Sequence, residues 1–244
     1  MRIKKLSVII PSYNEAATIT QVISRVKRAD IGPIKKEIII VDDGSTDQTA
    51  KVLAKLKVTA KGRSSSGRKS GKLIVLTHKV NLGKGAAVRS ALKKAGGDVV
   101  VIQDADLEYN PNQYKKLLSP FKKDSVEIVY GSRELSKKNK YSHLSYYAGG
   151  KLITLITNIL YGSSLTDEPT GYKVFKRKTL KSIPLESNGF EFCSEVTAHV
   201  LSRGIKIHEV PITYKPRSLA EGKKIKLLDG LEAIWTLVRI KFNL

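Results

Sequence analysis

The sequence predicts an α/β protein built on a mostly parallel sheet with helices on both faces. Three observations predict it. Short β-branched runs alternate with stretches of helical periodicity through the first half of the chain. Each run empties into a polar or glycine-containing motif instead of a tight hairpin turn, so successive strands need helical crossovers and lie parallel. Of the 244 residues, 41% are hydrophobic, enough to cover both faces of such a sheet in one large domain or two small ones.

Leu6-Ser-Val-Ile-Ile10 reads as the first strand, ended by Pro11, and Ile19, Val22, Ile23 and Val26 then recur at helical spacing. Glu37-Ile-Ile-Ile-Val41 is the second, followed by Asp42-Asp-Gly-Ser-Thr-Asp47 and a helix carrying Ala50, Leu53, Ala54 and Leu56. Residues 57–72 hold six Lys and Arg among Gly and Ser with no acid, and read as a flexible basic loop that could touch anionic lipid. Its run from Gly62 to Ser70 almost spells a phosphate-binding loop, but an extra residue precedes Lys69 and no strand feeds it.

Leu73–Leu76 is the third strand, and Asn81-Leu-Gly83-Lys84-Gly85 opens a helix with Ala87, Val88, Ala91, Leu92 and Ala95 on one side. A dinucleotide fingerprint would need a third glycine where Val88 stands. The bland reading is a helix start whose glycines relieve crowding. Asp98–Ile102 is the fourth strand and Glu127–Tyr130 the fifth, ending in Gly131-Ser-Arg133.

In the second half, Leu152, Leu155, Ile156, Ile159 and Leu160 mark a helix over 144–162, either a core helix or one lying in a membrane interface. A helix from about Glu191 to Arg203 and a strand Ile207–Val210 follow. The C-terminal stretch 226–244 is amphipathic, with Leu227, Leu228, Leu231, Ile234, Trp235 and Val238 on one side and Lys223, Lys224, Lys226, Arg239 and Lys241 flanking them. It too fits either the protein's own core or a lipid surface. The catalytic unit is expected to span 1–225.

A formal charge of +22 points to polyanions: nucleic acid, anionic headgroups or phosphorylated substrates. One Trp and five Phe give no stacking platform for nucleic acid. Cys193 is the only cysteine, which excludes an intrachain disulfide and a Cys-based zinc site and fits a reducing cytosol. No run of 18 apolar residues is present, and the start lacks a signal-peptide pattern, so the expected place is cytoplasmic, peripheral to a membrane.

The chemistry centres on Asp104-Ala105-Asp106-Leu-Glu108 at the end of the fourth strand. Alternate carboxylates with a third nearby supply hard oxygen ligands for Mg²⁺ or Mn²⁺, the usual anchor of a diphosphate. Ligands in such sheets bind beyond the carboxyl ends of the strands. Pro11–Glu15, Asp42-Asp43, Gly83-Lys84-Gly85, Asp104/Asp106 and Arg133 all fall there.

In order and spacing, Pro11-Ser-Tyr-Asn-Glu15, Val41-Asp-Asp-Gly-Ser45, Asn81-x-Gly-Lys-Gly85 and Asp104-Ala-Asp106 resemble the family-two glycosyltransferases of GT-A, Rossmann-like fold, most closely the polyprenyl-phosphate type such as dolichyl-phosphate mannose synthases. The resemblance covers nearly the whole chain apart from 57–72. It implies that Pro11, Tyr13, Glu15 and Asp43 hold base and ribose. Asp104, Ala105, Asp106 and Lys84 would face the rest of the donor, with Asp104, Asp106 and Glu108 on the metal. Glu108 departs from the Gln common in mannose-synthase types.

A hydroxyl acceptor would require a general base, for which Asp167 is the candidate; a polyprenyl phosphate is its own nucleophile. A phosphate acceptor needs cationic fixation, for which Arg133, Arg217 and Lys223 are the candidates. The expected reaction is inverting hexosyl transfer from a nucleotide diphosphate sugar, GDP-mannose first and a UDP-sugar next, to polyprenyl or dolichyl phosphate. A membrane-anchoring subunit is a possible partner. The alternatives are transfer to a saccharide or protein hydroxyl, and a noncatalytic nucleic-acid- or membrane-binding protein.

Overall fold

A computed structural model describes residues 3–62, 72–137, 139, 141, 143–217 and 226–244. Strands β1 (Lys5–Ser12), β2 (Lys35–Asp42), β3 (Lys72–Thr77), β4 (Val99–Ile102), β5 (Ile128–Ser132), β6 (Lys173–Lys176) and β7 (Ile207–Pro211) form one seven-stranded sheet in the order β3-β2-β1-β4-β6-β5-β7. β6 runs antiparallel to β4 and β5, and the other pairings in the sheet are parallel. The helices are α1 (Ile19–Arg28), α2 (Thr49–Gly62), α3 (Lys84–Leu92), α4 (Tyr114–Leu118), α5 (Leu144–Tyr161), α6 (Arg177–Ser182), α7 (Phe192–Ser202) and α8 (Leu227–Phe242).

Alternation along the strands divides the core in two. Leu6, Val8 and Ile10 of β1 face α1 and α2 through Ile19, Val22, Val26 and Leu53. Ile9, Ile39 and Ile102 face the other way, onto Ala87, Val88 and Ala91 of α3 and Phe192 and Val196 of α7. Fully burying each such Val, Leu, Ile or Phe side chain is worth roughly 1.5–3 kcal/mol, so both helical layers are held by the same strands. A smaller cluster of Ile153, Ala198, Ala233 and Leu237 fastens α5 and α8 to α7.

Three expectations need correction. β1 continues past Pro11 to Ser12, because the Ile9 carbonyl accepts from Gln103 N on the β4 side and Pro11, two residues on, turns its missing N–H to that same side, where β4 has ended. The basic stretch begins as helix, since α2 runs to Gly62 and β3 starts at Lys72; the remainder of 57–72 lies outside the described residues. β6 went unread because its first residue, Lys173, looks like a surface residue yet has 0% exposure, its Nζ donating to the Glu168 carbonyl and lying 3.7 Å from the Tyr130 ring centroid.

From β1 the chain moves outward through β2 to β3 and then returns to place β4 on the other flank of β1. The sheet's switch point therefore lies between β1 and β4, where loops diverge and leave a crevice at the carboxyl ends.

Candidate active site

A cleft of about 1190 Å³ opens at that switch point. Its walls include Pro11 near the end of β1, Tyr13 and Glu15 after it, Asp43 after β2, Lys84 at the start of α3, Asp104, Ala105, Asp106 and Glu108 after β4, Arg133 after β5, and Arg217. Ten of these positions precede residue 134, and the structure gathers them with Arg217 in one place. Asp167 is buried directly behind Arg133, and Lys223 lies outside the described residues.

At the β1 end, Asn14 takes a positive φ of 51°, a conformation Asn tolerates better than most residues. It ties two loops together: Asn14 N donates to Ser45 Oγ at 2.9 Å and Thr46 N donates to Asn14 Oδ1 at 2.8 Å. Asp43 accepts from Leu82 N at 3.0 Å and Gly83 N at 2.7 Å, with His78 Nδ1 2.6 Å away. The carboxylate expected at the nucleoside thus also fixes the loop that leads into α3.

Lys84 Nζ donates to Asp104 Oδ1 at 2.6 Å. Burial alone would lower the Lys84 ammonium's pKa, but Asp104, Cys193 and Tyr109 together outweigh it and the value is raised. Asp106 sits in an acid-rich corner: burial, then Asp104 and Glu108, push its carboxyl up to about 7 against the pull of Arg217. Arg217 Nη2 lies 3.3 Å from Asp106 Oδ2 and 3.3 Å from Glu15 Oε1.

Glu108, on the same wall, is hydrogen-bonded through both oxygens. Its Oε2 accepts from Tyr214 OH at 2.9 Å and its Oε1 from Arg217 N at 2.7 Å, so it clasps the segment bearing Arg217. Among the described residues, no group of three or more His, Cys, Asp or Glu side chains is arranged to hold a metal. Asp104 and Asp106 remain as two hard carboxylates on the cleft wall. That donor set fits Mg²⁺ or Mn²⁺, which commonly use one or two carboxylates and complete their shell with water and substrate phosphate oxygens. Gly171 preserves the room beside Asp104, since a Cβ there would collide with Asp104 Oδ2 and lie 2.8 Å from Tyr109 Cε2.

Arg133 and Asp167 form a bidentate pair, Nε to Oδ2 at 2.8 Å and Nη2 to Oδ1 at 2.6 Å, with Arg133 N adding a third bond at 2.8 Å. The guanidinium carbon lies 5.2 Å from the Tyr214 ring centroid. Behind the pair, Glu209 of β7 accepts from Thr166 N at 2.8 Å and Asp167 N at 3.1 Å. Glu209 was not legible as a site residue: it reads as one acid in a short strand. Asn14 could have been found, because an Asn after a strand-ending Pro-Ser-Tyr is a natural left-handed turn residue.

The far wall of the cleft is made by Ser145, Tyr146, Gly149, Gly150 and Ile153 of α5 and Leu227, Gly230 and Ala233 of α8. Outward from it, Leu152, Leu155 and Ile159 on α5 and Leu227, Leu228, Leu231 and Trp235 on α8 are at least half exposed. Among the described residues no helix is long and apolar enough to cross a membrane.

A parallel sheet with strand-end acids around a switch-point cleft, closed by one antiparallel strand, is the architecture of a GT-A glycosyltransferase. Residues 7–183 match the model described as Glycosyl transferase family 2, and the chain belongs to that family. It is 33% identical over 250 residues to a UDP-N-acetylglucosamine–dolichyl-phosphate N-acetylglucosaminyltransferase of Methanococcus voltae, covering 98% of this chain and 97% of the relative. It is 31% identical over 225 residues to a dolichol-phosphate mannosyltransferase of Pyrococcus furiosus, covering 90% of this chain and 59% of the relative. Its fold is similar to glucosyl-3-phosphoglycerate synthase of Mycobacterium tuberculosis, solved with Mn²⁺, UDP and glucosyl-3-phosphoglycerate, at a TM-score of 0.71 and 22% identity over 98% of this chain and 80% of that one. The same enzyme solved with Mg²⁺ and UDP gives a TM-score of 0.70. The protein is a hexosyltransferase of GT-A fold.

Proposed function

We propose that the enzyme transfers a hexosyl unit from a nucleotide diphosphate sugar to a polyprenyl or dolichyl phosphate, with inversion, on the cytoplasmic face of a membrane. The observation that carries the reading is the Arg133–Asp167 pair. Asp167 has its oxygens engaged by the Arg133 fork and is 3% exposed, so it is poorly disposed to take a proton from a hydroxyl acceptor. It is well disposed to hold Arg133 toward an anion. A phosphate monoester with a second pKa of about 6 is already ionised at neutral pH and needs no base.

Asp104 and Asp106 are the residues that would hold the divalent cation. When bound, it would offset the negative charge that builds on the departing diphosphate. Lys84 adds a point charge on the same side of the cleft, held by Asp104. Pro11, Tyr13, Glu15 and Asp43 line the nucleoside end, while Arg133, Arg217 and Lys223 fix the acceptor phosphate for attack from the face opposite the leaving group. One displacement at the anomeric carbon turns an α-linked donor into a β-linked product.

The exposed apolar faces of α5 and α8, flanked by Lys226, Arg239 and Lys241, support seating on lipid beside the cleft mouth. The single thiol, Cys193, is free, which fits the reducing side. The two named relatives share dolichyl or dolichol phosphate in their names and differ in the sugar transferred, so the donor is the quantity to measure.

The test is transfer of radiolabelled sugar from GDP-mannose, UDP-glucose and UDP-N-acetylglucosamine to a polyprenyl phosphate and to soluble sugar acceptors, with Mg²⁺, Mn²⁺ or chelator. Label in the lipid phase, dependent on metal and β-linked, is the expected result. Transfer to a hydroxyl acceptor alone, or retention of the anomeric configuration, would sink the reading.

A further inference from the structure

The segment between α6 and α7 is fastened to the start of α3 by contacts that none of the site residues above explains. Gly85 N and Ala86 N donate to the carbonyl oxygens of Gly189 and Asn188, both at 3.2 Å. Leu82 N and Gly83 N are committed to Asp43. Four amides at this helix start therefore face protein oxygens, and a diphosphate arriving here meets the Lys84 side chain instead of a ring of N–H groups. The flanking glycines permit the close approach: a Cβ at Gly83 would collide with the Asn188 carbonyl oxygen, and one at Gly85 with that of Ser187.

Glu191 Oε1 accepts from Gly189 N at 2.9 Å, and two side chains from the flanking helices hold the segment down. Glu195, 1% exposed on α7, accepts from Glu186 N at 2.8 Å and Ser187 N at 3.0 Å, both on Oε1. Its Oε2 is buried without a hydrogen-bond partner, so those two amides are what compensates the carboxylate's desolvation. From α3, Arg89 donates Nη1 to the Ser187 carbonyl and Nη2 to Asn188 Oδ1. On its cleft side the segment carries Phe190, with Lys84 Nζ 5.8 Å from the ring centroid, and it leads into Cys193 and Ser194 of the cleft wall. Glu195 and Arg89 themselves do not line the cleft.

We propose that Glu195 and Arg89 are positioning residues for the donor: acting through segment 186–190, they keep Lys84 and Phe190 in register with Asp104 and so set nucleotide-diphosphate affinity without touching the ligand. This rests on the reading of the cleft as the donor site. A charge-assisted grip from α7 and a planar fork from α3 converge on three consecutive residues, 186–188, which is more fixation than a connecting loop needs for its own sake.

The test is calorimetric binding of UDP and of GDP, each with Mn²⁺, to the full chain and to Glu195→Ala, Glu195→Gln and Arg89→Ala, with the acceptor KM measured beside it. Glu195→Ala and Arg89→Ala are each expected to weaken the preferred nucleotide about tenfold, as loss of charge-assisted bonds implies. Glu195→Gln is expected to keep most of the affinity, because its Oε1 still accepts both amides. The acceptor KM should stay within about twofold throughout, whereas a general loosening of the fold would raise both. Wild-type affinity in both alanine variants, or an acceptor KM that rises in step, overturns the positioning role alone. A wild-type chain that binds neither nucleotide overturns the donor-site reading and this proposal with it. If Glu195→Ala does not fold, Arg89→Ala, on a part-exposed residue, decides the matter.

Discussion

Arg217 stands between two acids, its Nη2 3.3 Å from Asp106 Oδ2 and 3.3 Å from Glu15 Oε1. A guanidinium thus balances the corner in which a divalent cation is proposed to sit. Arg217→Ala is expected to bind Mn²⁺ severalfold more tightly without nucleotide, because a competing cation is gone, and to raise the acceptor KM about tenfold, because a phosphate loses its fork. Asp106→Asn should do the reverse to Mn²⁺ and abolish turnover with the fold retained. Manganese EPR titration separates the two, and equal Mn²⁺ affinity in wild type and Arg217→Ala would remove the competition.

Asp167→Asn keeps the shape of the Arg133 partner and removes its charge. If Asp167 orients Arg133, kcat/KM for the acceptor falls about 10- to 100-fold, and the acid limb of the pH–rate profile stays where it was. If Asp167 is a general base, that limb disappears. The pH profile of the variant therefore discriminates a phosphate acceptor from a hydroxyl one.

Gly171→Ala places a methyl against Asp104 and Tyr109. Overpacking at a filled site costs about 1–3 kcal/mol, and here the atom displaced is a carboxylate oxygen beside the proposed cation. Calorimetry should register weaker binding of UDP or GDP with Mn²⁺; undiminished binding would mean that the room beside Asp104 is not used.

Trp235 is 57% exposed on α8, beside Leu231 at 56%. Trp235→Glu is expected to reduce co-sedimentation with anionic vesicles about tenfold or more, as burial of an indole is replaced by a charge, while nucleotide binding is untouched. Unchanged vesicle binding would move the lipid contact elsewhere.

Glu37 ties β2 to β1 and to the turn before β4: Ser7 Oγ and Gly96 N donate to Oε1, both at 2.6 Å, and Lys5 Nζ lies 2.5 Å from Oε2. Burial raises its pKa, but the bonds from Lys5, Ser7 and Gly96 outweigh it and the pKa is lowered from 4.5. A carboxyl depressed in the folded state contributes stability that is complete above its unfolded pKa and lost as pH falls through the folded one. Thermal unfolding of Glu37→Gln should therefore show a lower Tm near neutrality and a shallower loss below pH 4.5 than wild type. Parallel acid limbs would assign the acid sensitivity to other carboxyls.

The strand-end motifs were readable because each lies next to the strand that aims it. Asp104 and Asp106 follow β4 closely, and Lys84 opens α3, so a short continuous apolar run and its sequel sufficed. β6 was not readable, since a lysine at 0% exposure contradicts the pattern by which buried strands are recognised. Glu108 showed the same limit in the site: spacing put it with Asp104 and Asp106, where the structure has it, but not its partners Tyr214 and Arg217, more than a hundred residues on.

By itself, the sequence determined the family, the parallel α/β architecture and the set of acids and bases around one crevice, because those depend on contiguous residues: a strand, its loop, its helix. Only the tertiary structure decided which of these groups pair. Arg133 with Asp167, Arg217 with Asp106, Glu195 with Ser187 and Asp43 with Gly83 are choices among charged and polar groups that chain folding brings within 3.5 Å. Local propensity carries no record of such partners, since a hydrogen bond is selected by distance and desolvation in the folded state.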